Sequence, residues 1–186
     1  MYFSDAKNIL SFLNYGNTLC VVSLPEDAFK IKVDNKWKAN KIVIEEQKNI
    51  KDIKTWKYLV ENGADIQASN NYALRWASEN GNLEVVKFLV ENGADIQADN
   101  NYALRWTSRN NHLEIVKYLV ENRADIQADY NCALRWASRK GHLEVVKFLV
   151  ENGANIEAGN NYSLRYASAY GYLEVVEYLV ENRTEN

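Results

Sequence analysis

The side chains best suited to chemistry are scarce and badly placed for it. His112 and His142 are the only histidines, thirty residues apart in the matching contexts NHLEIV and GHLEVV. If each occupies the same place on one of two packed helices, the axes stand about 8–10 Å apart. A zinc ion needs ligand bonds of about 2 Å, so the two imidazoles are not expected to share one. Cys20 and Cys132 fit no CxxC spacing and read as small hydrophobes in a reducing compartment. Carboxylates recur every thirty residues, the pattern of a solvated edge rather than of an acid/base pair. No glycine-rich phosphate loop and no nucleophile–histidine–acid set can be nominated. The expectation is a non-catalytic chain without metal or cofactor.

Two further columns bear on binding. Trp76, Trp106, Trp136 and Tyr166 form an aromatic one, and Arg75, Arg105, Arg135 and Arg165 a basic one. An Arg–Trp ladder would grip an acidic or aromatic partner through cation–π contacts. A column that never varies is more often internal packing. On that reading each Arg meets a carboxylate or carbonyl of a neighbouring repeat.

Of the 22 basic and 25 acidic residues, 8 and 7 lie in residues 1–52, and the net charge is −3. Neither part carries the basic excess that neutralises a run of phosphates, which argues against nucleic-acid binding. No apolar run approaches 18 residues, so no membrane span is expected. The opening MYFSDAKNILSFLNYGN lacks a basic start and a cleavable apolar core. The expected location is therefore cytoplasmic or nuclear.

The elements that must carry these columns repeat. NYALRWASENGNLEVVKFLVENGADIQAD (71–99) returns as NYALRWTSRNNHLEIVKYLVENRADIQAD (101–129), then twice more, so Tyr58, Phe88, Tyr118, Phe148 and Tyr178 recur at thirty. Such a period marks a stacked array. In LEVVKFLV (83–90) a broad apolar stripe, too wide for one repeat to cover, predicts a helix with a neighbour on each side. Residues 72–80 predict a shorter helix, with Asn70 or Asn71 as N-cap and Gly81 at its end. ENGADIQADNN, between them, reads as an extended, turn-containing projection.

A helix–loop–helix–turn unit ending NG-AD-I resembles the ankyrin repeat, best in GHLEVVKFLVENGA (141–154). The resemblance covers about residues 53–186. It implies a mainly α, ankyrin-type helical solenoid with four full helix pairs, starting near 70, 100, 130 and 160. One preceding second helix (53–60) lies in a partial unit, 51–69. It also implies a structural role for the histidines of the GHLE slot. There are departures. The period is thirty rather than about 33, the shortfall lying before Tyr72, and the family's Thr-Pro-Leu-His stands here as Tyr72-Ala73-Leu74-Arg75. The wording ALRWAS…LEVVK is similar to the short ankyrin arrays of giant amoeba viruses of the mimivirus type.

Residues 1–50 do not repeat and read as a small α+β N-terminal cap, or else a docking module. A helix from Ser4 through Leu13, a strand at Thr18–Leu24, and an alternating run Phe29-Ile31-Val33 are expected. Asp34-Asn35-Lys36 turns the chain, and 42–44 return it against that run. A cap would hide the apolar end of the array.

Slots filled alike four times are those the stack needs; slots that differ are free to serve a partner. The latter cluster at Glu79-Asn80, Arg109-Asn110, Arg139-Lys140 and Ala169-Tyr170, and at the turn residues Asn70, Asn100, Tyr130 and Asn160. In the family these positions line the concave face and the finger tips. The expected function is recognition of another protein by Glu79, Asn80, Asn100, Arg109, Asn110, Tyr130, Arg139, Lys140, Asn160 and Tyr170 of a monomeric scaffold, inside a host cell if the chain is viral. A structural or self-assembling protein and a substrate adaptor for a ubiquitin ligase are the alternatives. Arg123, where 63, 93 and 153 are Gly, is expected to adopt a positive φ and soften its layer.

Overall fold

The computed structural model describes residues 2–3, 18–23, 26, 30–33, 36–39 and 43–183. They form two compact units: residues 1–76 with 84–94, and residues 77–83 with 95–186.

In the first unit, β1 (Tyr2–Phe3), β4 (Lys36–Ala39) and β3 (Lys30–Val33) make an antiparallel sheet in the order β1-β4-β3. β2 (Thr18–Ser23) pairs antiparallel with β5 (Val43–Asn49), with a bulge at Val21/Val22. The expected return of 42–44 against 29–33 is thus corrected. β4 takes that place, Val33 opposite Lys36, and β5 turns to β2 instead. The helix expected from Ser4 to Leu13 lies outside the described residues.

β5 runs directly into α1 (Ile53–Glu61), capped by Asp52, whose side chain accepts the Lys54 N–H at 2.9 Å. Trp56, fully buried, donates its indole N–H to the Ile50 carbonyl at 2.7 Å, and Thr55 donates to the Asn49 carbonyl at 2.6 Å. The aromatic that begins the array is therefore spent on anchoring the strand that precedes it. It also meets Trp76 with ring centroids 5.8 Å apart.

The repeats supply α2 (Ala68–Glu79) and α3 (Leu83–Glu91), α4 (Ala98–Arg109) and α5 (Leu113–Glu121), α6 (Ala128–Lys140) and α7 (Leu143–Glu151), α8 (Ala158–Ala169) and α9 (Leu173–Glu181). In the second unit α4, α6 and α8 form one row, and α5, α7 and α9 the other. The second helices follow the expected stripe: Ile115, Val116 and Leu119, then Val145, Val146 and Leu149, are buried. Each closes on the asparagine of the EN dipeptide. The side-chain amides of Asn92, Asn122, Asn152 and Asn182 donate back to the carbonyl four residues earlier at 2.8–2.9 Å.

The first helices open differently from expectation. Asp99, Asn100 and Asn101 have φ of 53°, 53° and 55°, and the matching residues of α2, α6 and α8 do likewise. These three residues form one left-handed turn before the right-handed helix begins. The chain reaches it through a turn held by Asp95 and Asp125, which accept the Gln97 and Gln127 N–H groups at 2.9 Å. The expected extended projection is thus a compact turn, because Asn and Asp tolerate left-handed backbone better than other non-glycine residues.

Nor do the asparagines cap their own helices. Asn101 Oδ1 accepts the Asp125 N–H and Asn131 Oδ1 the Asn155 N–H, both at 2.7 Å and 24 residues ahead. Gln97 and Gln127 reach 26 residues ahead, to the carbonyls of Arg123 and Gly153, at 3.1 Å each. Both side chains tie one layer to the next at its turn.

Candidate functional site

At the other end of the first helices, the glycine after α6 sits under an aromatic ring. A Cβ at Gly141 would come within 2.4 Å of Tyr172, and one at Gly81 within 2.5 Å of His112. His112 and His142 bond to main chain, their Nε2 atoms 3.2 and 2.9 Å from the carbonyls of Glu79 and Arg109. They hold the end of the preceding first helix. Among the described residues no group of three His, Cys, Asp or Glu side chains could hold a metal, and no helix is long and apolar enough to cross a membrane. Cys132 is buried, and that burial pushes its thiol above the usual range against the pull of Arg135; Cys20 is exposed.

The two repeated columns behave unequally. Arg75, Arg105 and Arg135 donate to the carbonyls of Ser69, Asp99 and Asp129, six residues back in their own repeats, at 3.3, 2.7 and 2.9 Å. They brace the left-handed turn of the same repeat, and for Arg105 this comes beside the expected reach to a carboxylate of a neighbouring repeat. Across a layer, the Asp129 carboxylate stands 3.7 Å from Arg105, and the centre of the Tyr162 ring 5.4 Å from Arg135.

The aromatic column is engaged by the arginines that vary. The Arg109 guanidinium lies 4.3 Å from the centre of Trp106 and 4.9 Å from that of Trp136. Arg139 lies 5.1 Å from Trp136, 5.3 Å from Tyr166 and 5.5 Å from Tyr170, and donates to the Tyr170 hydroxyl at 3.1 Å. The result is a ladder, Trp106–Arg109–Trp136–Arg139–Tyr166/Tyr170, whose first five members are half-buried. Among the described residues no carboxylate pairs with either arginine. Each guanidinium is desolvated on its faces by rings, with N–H groups left to donate at its edge.

The other variable positions divide into two groups. Glu79, Asn80, Lys140 and Tyr170 are exposed beside the ladder end of the helices, Tyr170 at 52%. Asn110 is committed to the scaffold, donating to the Glu79 carbonyl at 3.0 Å. Asn100, Tyr130 and Asn160 lie in the left-handed turns at the opposite end of the first helices, roughly 12 Å away by helical rise. Tyr130 is 73% exposed at φ 54°, a conformation costing a bulky residue about 1–2 kcal/mol. The expected face is therefore two separate rows. The part played by Trp106, Trp136 and Tyr166 beside the variable arginines goes beyond the sequence expectation. Its signal is the i, i+3 spacing of Trp106/Arg109 and Trp136/Arg139, which brings helical side chains together.

A family model described as ankyrin repeats (3 copies) matches residues 13–100, 44–129 and 104–186. The ankyrin repeat protein R229 of Acanthamoeba polyphaga mimivirus is 40% identical over 90 residues, 44% of this chain and 29% of the relative. An uncharacterized protein of the same virus, R869, is 40% identical over 90 residues, 46% of this chain and 65% of that protein. Its ankyrin repeat protein R896 is 39% identical over 91 residues, 46% of this chain and 27% of the relative. The matched stretch thus spans less than two thirds of each of these relatives. With overlapping model matches running from residue 13 to residue 186, the chain belongs to the ankyrin-repeat family.

Proposed function

We propose that the ladder Trp106–Arg109–Trp136–Arg139–Tyr170, with Lys140 at its rim, recognises an acidic segment of a partner protein inside a host cell. The observation that carries this reading is the pair of guanidinium groups packed against aromatic rings without a carboxylate of their own. Arg105 and Arg135, by contrast, donate to the carbonyls of their own turns and stand 3.7 and 3.6 Å from the Asp129 carboxylate. Arg109 and Arg139 also stand where the repeats differ, Glu79 and Ala169 taking their place in the repeats on either side. Aromatic and arginine side chains are the residue types that dominate binding energy at protein interfaces. Arrays of this family generally mediate protein–protein interaction.

The test is affinity capture from an amoebal lysate beside a variant carrying Arg109→Ala, Arg139→Ala, Lys140→Ala and Tyr170→Ala. A protein retained by the parent, released by raised salt and lost by the equally helical variant supports the reading. Capture of the same proteins by both chains overturns it.

A further inference from the structure

The ends of the first helices form a row with one variable residue per repeat, and the charge along that row is not uniform. Glu79, Arg109 and Arg139 occupy matching places thirty residues apart, all within the second unit. Glu79 is exposed, and among the described residues its carboxylate has no ion-pair partner. The three helix ends are tied in sequence by side chains that reach main chain. The Glu79 carbonyl accepts from Asn110 at 3.0 Å and lies 3.2 Å from His112 Nε2; the Arg109 carbonyl lies 2.9 Å from His142 Nε2. The same histidine contact therefore sets the step from Glu79 to Arg109 and the step from Arg109 to Arg139.

That step has a length. The guanidinium carbons of Arg109 and Arg139 lie 4.9 and 5.1 Å from the centre of Trp136, so they stand at most about 10 Å apart, in keeping with the 8–10 Å between packed helices. A segment lying along the row must present one charge per step, always on the same face. A β-strand returns to one face every two residues, about 6.7 Å, which falls short. An α-helix returns after three or four residues, about 5–6 Å, or after seven, about 10.5 Å, values on either side of the step. A polyproline II segment has three residues per turn and a rise of about 3.1 Å, so every third side chain faces the same way about 9.3 Å on. Such segments dock on grooves lined by aromatic rings, and here the Trp136 ring lies against both arginines.

We infer that the row reads a polyproline II segment at three-residue intervals, a basic residue facing Glu79 and acidic residues facing Arg109 and Arg139. The inference rests on the reading of the arginine ladder as a surface for an acidic segment, and adds to it an order and a spacing. Lys140, exposed beside Arg139, strengthens the demand for an acid at the last step. Order counts because an acid placed at Glu79 would face a like charge, which interfaces penalise. The residues between the two acids lie along the Trp136 ring.

The experiment is fluorescence anisotropy of labelled, end-capped peptides titrated with the full chain. The probes are KPPEPPE and its reversal EPPEPPK, because a bound segment can run either way. EPPKPPE has the same composition but the wrong order in both directions, and KPEPEPP and its reversal set the charges two residues apart. One of the first two peptides is expected to bind about tenfold or more tightly than EPPKPPE and than either two-residue form. Glu79→Arg installs the residue found at 109 and 139, so the repeat scaffold accommodates it. That variant should turn the preference round, binding EPPEPPE about tenfold more tightly than either lysine peptide. Glu121→Arg, the same change of net charge at an exposed position on a second helix, should leave the preference as it was. A chain that binds KPPEPPE, its reversal and EPPKPPE alike, or that favours charges two residues apart, overturns the inference while acid recognition stands. So does failure of every peptide at millimolar concentration when capture from the lysate succeeds. A preference that Glu79→Arg and Glu121→Arg alter equally also overturns it, since net charge alone would then govern binding.

Discussion

Where α4 and α6 enter their right-handed turns, Asn101 and Asn131 are buried, and each holds a backbone N–H of the following layer. Where the same helices end, Arg109 and Arg139 lie half-exposed on aromatic faces without a carboxylate. One edge keeps an asparagine at 71, 101, 131 and 161, and the other is rewritten each time. The difference teaches how a short array separates its two tasks: bonds between layers gather where the residues are constant, and chemical character gathers where they are not. The separation is incomplete. Asn110 and the two histidines carry layer-to-layer bonds at the variable end, and Tyr130 brings an exposed aromatic into the constant turn.

The comparison breaks first if the constant edge proves dispensable. Asn131→Ala removes the acceptor of the Asn155 N–H and places alanine at φ 55°. Stability should fall by about 2–4 kcal/mol, combining an unpaired buried amide with left-handed strain. Asn131→Gly, which keeps the backbone freedom, should recover roughly 1 kcal/mol of that in denaturant titrations. A loss below about 0.5 kcal/mol would remove the turn bond from any leading role.

At the variable end the largest structural effect is expected at Gly141. Its φ is 73°, and the Tyr172 ring stands 2.4 Å from where a Cβ would project, which leaves no room for a side chain. Gly141→Ala should cost about 1–3 kcal/mol. Combining it with Tyr172→Ala should cost less than the sum of the two single changes, and strict additivity would deny the contact.

Arg123 sharpens the comparison from the opposite side. It sits at φ 70°, where the same turn elsewhere uses Gly63, Gly93 and Gly153, and a Cβ at those glycines would touch nothing within 4 Å. The substitution therefore carries backbone strain without a clash. Arg123→Gly should stabilise the chain by about 1 kcal/mol. It should also slow amide exchange across 113–130; unchanged exchange there would show that this layer is no softer than its neighbours.

The smallest effects belong to the ladder itself. Arg139→Ala gives up cation–π contacts at a half-exposed site, worth about 0.5–1 kcal/mol. Lys117→Ala, which removes a surface pair with Glu114 at 2.8 Å, should cost still less, about 0.3 kcal/mol. If Arg139→Ala proved as damaging as Asn131→Ala, the arginine would belong to the scaffold and its assignment to partner binding would fall.

Much of this architecture is legible in the sequence because its signals are local. A thirty-residue period, an apolar stripe on LEVVKFLV and a glycine after most of the helices are read within one repeat, and the helices fall accordingly. The left-handed turns are not legible, because Asn-Asn before a helix serves equally as an N-cap or as a left-handed pair. Which one occurs depends on a backbone N–H that arrives 24 residues later. Strand pairing escapes for a related reason. Nothing local in residues 42–44 states that β5 will pair with β2 rather than with β3. The cationic ladder sits between these cases, visible in helical spacing but masked by the more regular arginine column beside it.

The bond from Asn101 to Asp125 also has a direction in time. Its acceptor is always synthesised before its donor, as in the bond from Asn131 to Asn155. At translation rates of about 5–20 residues per second, the interval of 24 residues lasts roughly one to five seconds. During that interval a finished layer presents an open carbonyl oxygen as a template for the chain still emerging. In each such bond the side chain that accepts is thus in place before the backbone N–H that it will hold.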